Sequence, residues 1–135
     1  MAMNTISPEL QATGINGTGL GHWCWLRLGS GIKKTRIVMA YQPSNSGRSA
    51  CTTAKDQQSH YFCARGDARS PRTIFFEQLI AQLLLWKAID NDIILLGNFN
   101  KNVYMGRIAK RLAVHDLNFV EVCRKHTGVP IPPTF

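Results

Sequence analysis

The clearest alternation of apolar and polar positions is WCWLRL (Trp23 to Leu28), with Trp23, Trp25 and Arg27 on one side and Cys24, Leu26 and Leu28 on the other. A period of two rich in aromatics is what a pleated strand shows when its two faces meet different surroundings. Gly29-Ser30-Gly31 breaks the run, and TRIVMAY (Thr35 to Tyr41) follows, nearly all apolar from Ile37 to Ala40. The pair predicts an antiparallel hairpin whose second strand is buried on both faces. Pro43 stops that strand, because proline has no amide to donate to a ladder.

The period then changes. Ser70 is placed to cap a helix with Pro71 in its first position, and Phe76, Leu79, Ile80, Leu83 and Trp86 recur at helical spacing beyond it. Glu77, Gln78, Gln82 and Lys87 leave only a thin polar stripe, so this helix is expected to pack hard against a sheet. Ile93 to Leu96, a continuous apolar run after Asp90-Asn91-Asp92, predicts a central strand of that sheet, with the polar loop GNFNKN leaving its carboxyl end. Arg107 to Ala113 predicts a short helix with Ile108 and Leu112 inward and Arg107, Lys110 and Arg111 outward. Asn118-x-x-Glu121 resembles a capping box opening another helix, with Phe119, Val122, Cys123 and His126 on one face and Gly128 closing it.

Three stretches lack such periods. Residues 1–21, with Gly14, Gly17, Gly19 and Gly21 among Asn, Thr and Ser, read as a flexible lead-in to a domain over 22–135. Gln42 to Ser70 reads as a long connection with a short helical turn near Gln57 to Cys63, and VPIPPTF as an extended tail. Arg65-Gly66-Asp67, an adhesion tripeptide in secreted proteins, reads here as a chance occurrence.

Composition narrows the class. A length of 135 residues sets one domain at most, and 44% apolar against 18% charged residues supplies a core and excludes wholesale disorder. The longest apolar runs fall far short of the about 20 residues needed to span a bilayer. Neither a signal peptide nor a transit peptide is expected, so the chain reads as intracellular, in nucleus or cytoplasm. Cys24, Cys51, Cys63 and Cys123 fall at uneven spacings and read as free thiols. His60-x-x-Cys63 and Cys123-x-x-His126 together carry a zinc-type donor set, but lack the tight pairing of known zinc modules and read as unrelated pairs. No metal site is expected from the residues themselves.

The strand-end loop carries a resemblance. LLGNFN is similar to the "LxGDFN" signature of the endonuclease/exonuclease/phosphatase superfamily, the deoxyribonuclease I-like fold, and RIVMAYQP resembles that family's preceding strand. FFEQLIAQLLLWK lies between them, where the family places its long helix. The wording is closest to the endonuclease domains of non-LTR retrotransposons, in which a W-x-W strand, YxP, a Gln-rich YF segment, GDFN and an RLA, DLN, CRK, PPTF tail follow in this order. The resemblance covers about Gly21 to Phe135. It implies an α/β (α+β) protein holding part of a four-layer α/β sandwich, without the early strands and the final SDH segment.

The resemblance also implies roles, residue by residue. Tyr41 matches the tyrosine that hydrogen-bonds the scissile phosphate or attacking water, and Asn100 the asparagine that orients phosphate and nucleophile. Asn98 stands where the family has the aspartate that orients or deprotonates the water. The family's chemistry uses Mg2+. Phosphodiester hydrolysis needs an activated water and a divalent ion on the phosphoryl oxygens. A neutral amide can neither accept the proton nor add charge to a metal shell. Losing such a group costs about 10²–10⁴ in rate on the scale of general base catalysis. The early Asn and Glu ligands and the SDH pair have no counterparts, so the acid, the base partner and the main metal ligand are missing. His22, His60, His115 and His126 match no catalytic position and are expected at the surface or half-buried.

A formal charge of +8 (16 Lys+Arg against 8 Asp+Glu) and a pI near 9.7 give a second lead. Lys33, Lys34, Arg48, Arg65, Arg69 and Arg72 are scattered, while Arg107, Lys110 and Arg111, with Arg124 and Lys125, cluster beyond the GNFN loop. Such a cluster can neutralise phosphates and give non-specific, salt-dependent DNA contact. The bland reading is a solvated basic face. Three functions follow: a Mg2+-dependent, DNA-nicking phosphodiesterase made inactive by its losses, a vestigial nucleic-acid-binding remnant, or a phosphatase-type relative. Half of a sandwich would leave edges and an apolar face uncovered, with Trp23, Trp25 and the Ile93 strand as aggregation risks.

Overall fold

A computed structural model of the chain describes residues 9–29, 32–43, 53–89, 92–99, 107–120, 125, 126 and 128. In chain order these form β1 (Leu10–Ile15), β2 (Trp23–Leu28), β3 (Thr35–Tyr41), α1 (Ala54–Cys63), α2 (Pro71–Lys87), β4 (Asp92–Asn98) and α3 (Arg107–Val114). The strands make one mixed sheet in the order β1-β2-β3-β4, antiparallel except for the parallel pair β3 and β4. With three helices, this is an α+β arrangement.

The expected hairpin is β2 and β3, with Trp23 opposite Ala40 and Leu28 opposite Thr35. The expected long helix is α2, and its start follows from the cap: the Ser70 hydroxyl accepts from the Thr73 amide at 3.2 Å while Pro71 occupies the first turn, where no amide is required. Helix α1 is longer than the turn expected there. Thr53 accepts from the Asp56 amide at 3.3 Å and its hydroxyl donates to the Asp56 carboxylate at 2.7 Å, a cap hidden within a polar stretch that reads as loop. Helix α3 buries Ile108 and Leu112 and exposes Lys110, as its pattern predicts. Beyond it, Asp116 takes a left-handed φ of 58°, and Lys87 donates to its carbonyl at 2.7 Å, fastening the end of α3 to the end of α2.

The core lies on one side of the sheet. Phe75, Leu79 and Leu83 of α2 sit on Trp23, Val38 and Ala40, with Phe99, Ile108, Leu112 and Leu117 closing the cluster. Arg36 is inside it, its guanidinium 4.2 Å from the centre of the Trp25 ring and 4.7 Å from that of Trp86. Stacking on two electron-rich faces offsets the cost of burying that cation.

Four expectations are corrected. The first strand of the sheet, β1, falls within 1–21, where glycine content predicts a flexible lead-in; Gly14 is there because a Cβ on it would stand 2.7 Å from the Trp25 ring. Strand β3 is buried on one face only, since Val38 and Ala40 lie under α2 while Met39 is 57% exposed. Among the described strands β4 lies at the edge of the sheet, where a central place is expected: Ile93 and Leu95 pack on the core, and Ile94 and Leu96 face outward. His22 is fully buried, between Trp23, Phe62 and Phe75. The proposed helix over Asn118 to Gly128 and the VPIPPTF tail fall largely or wholly outside the described residues. Among the described residues, no helix is long and apolar enough to cross a membrane.

Candidate nucleic-acid site at the strand ends

Parallel pairing brings the carboxyl ends of β3 and β4 together, although the chain between them holds two helices. Tyr41 and Asn98 are register partners, as are Ala40 and Gly97, and the Gln42 amide donates to the Asn98 carbonyl at 2.9 Å. Register partners project from the same face, about 4.8 Å apart. Both residues are exposed, on the side of the sheet away from α2. Gly97 makes the approach possible, because a Cβ there would meet the Ala40 carbonyl oxygen at 2.5 Å. Phe99, the next side chain of the loop, turns into the core. Asn100 lies outside the described residues.

Side chains alternate along β3, so Gln42 points to the opposite side from Tyr41, toward the helices. It is fully buried, and its Oε1 accepts from Arg72 at 2.9 Å. Arg72 reaches the Phe99 carbonyl as well, at 3.4 Å. The first turn of α2 thereby becomes part of the strand-end site. Partial burial lowers the Arg72 pKa from the usual guanidinium value. A guanidinium does not lose its proton in a protein, so the charge remains. Arg72 also sits at the positive end of a helix whose first turn has no acidic residue. A cation there opposes the helix dipole.

The remaining cations divide sharply. Arg69 is ion-paired to Asp67 at 2.6 Å and Glu77 at 2.5 Å, and its hydrogen bonds hold the Asp67 carboxyl down to about 2. Arg65 lies 3.5 Å above the Tyr61 ring. Arg111 lies over Phe76, 5.5 Å from its centre, and lines the same cleft as Arg72. Lys110 is exposed on α3, and Arg107 begins that helix. Thus Tyr41 and Asn98 meet on the open side of the strand ends, and Arg111 meets Arg72 on the helix side.

In the sequence pattern Arg72 is only one of several scattered cations, and Gln42 has no role. The available signal is Arg72's place in an otherwise acid-free first helical turn. Among the described residues, no group of three or more His, Cys, Asp or Glu is arranged to hold a metal ion. Cys24 and Cys63 are exposed free thiols, while Cys51 and Cys123 lie outside the described residues. Against known proteins, the chain matches no family model, no curated protein and no solved structure.

Proposed function

We propose that this chain is a non-catalytic, nucleic-acid-binding relative of the deoxyribonuclease I-like phosphodiesterases, close to the endonuclease domains of non-LTR retrotransposons. The observation that carries the reading is the pairing of Tyr41 with Asn98 at the ends of two parallel strands. Two positions distant in sequence and matched separately to the family's motifs fall side by side, as a shared phosphate site requires. In this reading Tyr41, Asn98 and Asn100 are the remnant of the catalytic loop. Asn98 leaves it without a carboxylate to take a proton from water or to hold Mg2+. Arg107, Lys110 and Arg111 give contact to DNA phosphates without reading sequence.

Two measurements test this. Supercoiled plasmid incubated with the purified chain and Mg2+ is expected to stay unnicked; nicking that requires the metal and disappears in Tyr41→Phe overturns the reading and restores that of an active enzyme. Affinity for duplex DNA is expected to fall steeply with salt, and Lys110→Gln to reduce the slope of log K against log salt by about one. Absence of any salt-dependent binding removes the nucleic-acid part of the proposal.

A further inference from the structure

The cleft on the helix side of the strand ends gathers positive charge, and no acidic side chain lines it among the described residues. It has a volume of about 160 Å3 and lies between the end of β3, the first turn of α2 and α3. Arg72 and Arg111 enter it from different helices, beside Gln42, Ser70 and Thr73, over Phe76 and Ile108. Arg72 donates to neutral acceptors, the Gln42 amide oxygen and the Phe99 carbonyl, and Arg111 rests on an aromatic ring. The contrast is with Arg69 and Lys87, each beside a carboxylate. On the far side of Arg72 a second hollow of about 150 Å3 is edged by Lys55.

Two guanidiniums drawn toward one cleft repel each other, and partial desolvation of Arg72 raises that cost. A bound anion relieves both effects. Guanidinium forks match the oxygens of a tetrahedral oxyanion in charge and in planar donor geometry. We propose that the cleft between Arg72 and Arg111 binds one phosphate group. The source is taken to be the backbone of a nucleic acid, which rests on the reading above; the phosphate chemistry itself does not. Because Tyr41 ends β3 on the open side and Gln42, the next residue, turns to the helix side, a nucleic-acid strand crossing the sheet end would set one phosphate near Tyr41 and another in the cleft.

The test is a titration of the isotopically labelled full chain with inorganic phosphate at constant ionic strength, followed by amide resonances. Saturable shifts are expected at Gln42, Thr73 and Arg111. Arg72→Gln and Arg111→Gln should each weaken binding at least tenfold, and Lys33→Gln, in the exposed turn before β3 at the other end of the sheet, less than twofold. The same spectra report whether each variant is folded, and Arg111 sits on the cleft's outer helix, so its variant keeps the test alive if Arg72→Gln unfolds. Shifts that grow without saturating, that occur elsewhere, or that weaken equally in Lys33→Gln overturn the proposal. A second arm uses a single-stranded DNA oligonucleotide. If phosphate binds the cleft and the oligonucleotide does not bind, the cleft stands and serves free phosphate, while the nucleic-acid reading fails. If the oligonucleotide binds with no shift at the cleft and no loss in Arg72→Gln, the nucleic-acid reading stands and the cleft proposal falls.

Discussion

The two faces of the sheet are built from similar amino acids and live in different surroundings. On one, Trp23, Val38 and Ala40 are sealed under α2. On the other, Ile15, Met39, Ile94 and Leu96 are exposed at 73%, 57%, 44% and 49%, and no described residue covers them. The register places no Lys or Arg on that open face, although the chain carries 16 of them. The lesson is that apolar composition states which surfaces favour burial and not which are buried. An uncovered apolar patch of this kind marks a contact surface or an aggregation hazard. The hazard sits at Ile15, Met39 and, on the Ile93 strand as expected, Ile94 and Leu96, rather than at Trp23 and Trp25, which face the helix.

The contrast can be broken most directly by truncation. Leu83→Ala, at a fully buried site, should cost about 2–5 kcal/mol in urea unfolding. Leu96→Ala, on the open face, should change stability by about 0.5 kcal/mol or less. Comparable losses would mean that the open face is covered. Next in size, Gly14→Ala drives a methyl group into the Trp25 ring from the helix side of β1 and should cost about 1–3 kcal/mol as overpacking. No loss there would return residues 10–15 to the status of a loose lead-in.

A smaller effect concerns His22, buried against Phe75 with ring centres 5.3 Å apart. Burial lowers its pKa; Gln58 and Gln78 lie close enough to lessen the effect, though neither ring nitrogen makes a hydrogen bond of ordinary geometry. The unfolded chain therefore binds a proton more readily than the folded one. Stability should fall as pH drops below about 6.5, the ordinary histidine value, toward the lower folded value. Thermal unfolding at pH 7 and pH 5 should show the loss, and His22→Phe should flatten it. The smallest effect is at Asp67, depressed by Arg69 to about 2. Its contribution is present above the unfolded value near 4 and fades as pH falls through about 2, and solvent around the exposed Arg69 partner makes it slight. Asp67→Asn should leave the pH 7 melting temperature almost unchanged.

Much of this architecture is legible in the chain itself. The face of α2, its Ser70-Pro71 start, the hairpin of β2 with β3 and the inward residues of α3 follow from periods and caps written locally in the sequence. What stays hidden depends on partners far apart along it. Gly14 has the same letter as a flexible glycine, and only the Trp25 ring across the ladder makes it a packing residue. Arg36 is buried because Trp25 and Trp86 bracket it, a coincidence of three elements. At the site, short motifs mark Tyr41 and Asn98, while Gln42 and Arg72 gain their place only from the first turn of α2 lying over the end of β3.

The parallel pairing of β3 with β4 also has a kinetic side. The contacts of β1, β2 and β3 are between chain neighbours, whereas Thr35 meets Asp92 only after two helices have been laid down between them. Closing that long loop is the costliest ordering step in the sheet, so β4 should join last, on a surface already prepared by α2. The juxtaposition of Tyr41 and Asn98 would then be the final thing folding makes and the first thing partial unfolding removes. A ligand bridging both strand ends would slow unfolding by holding β4 in place.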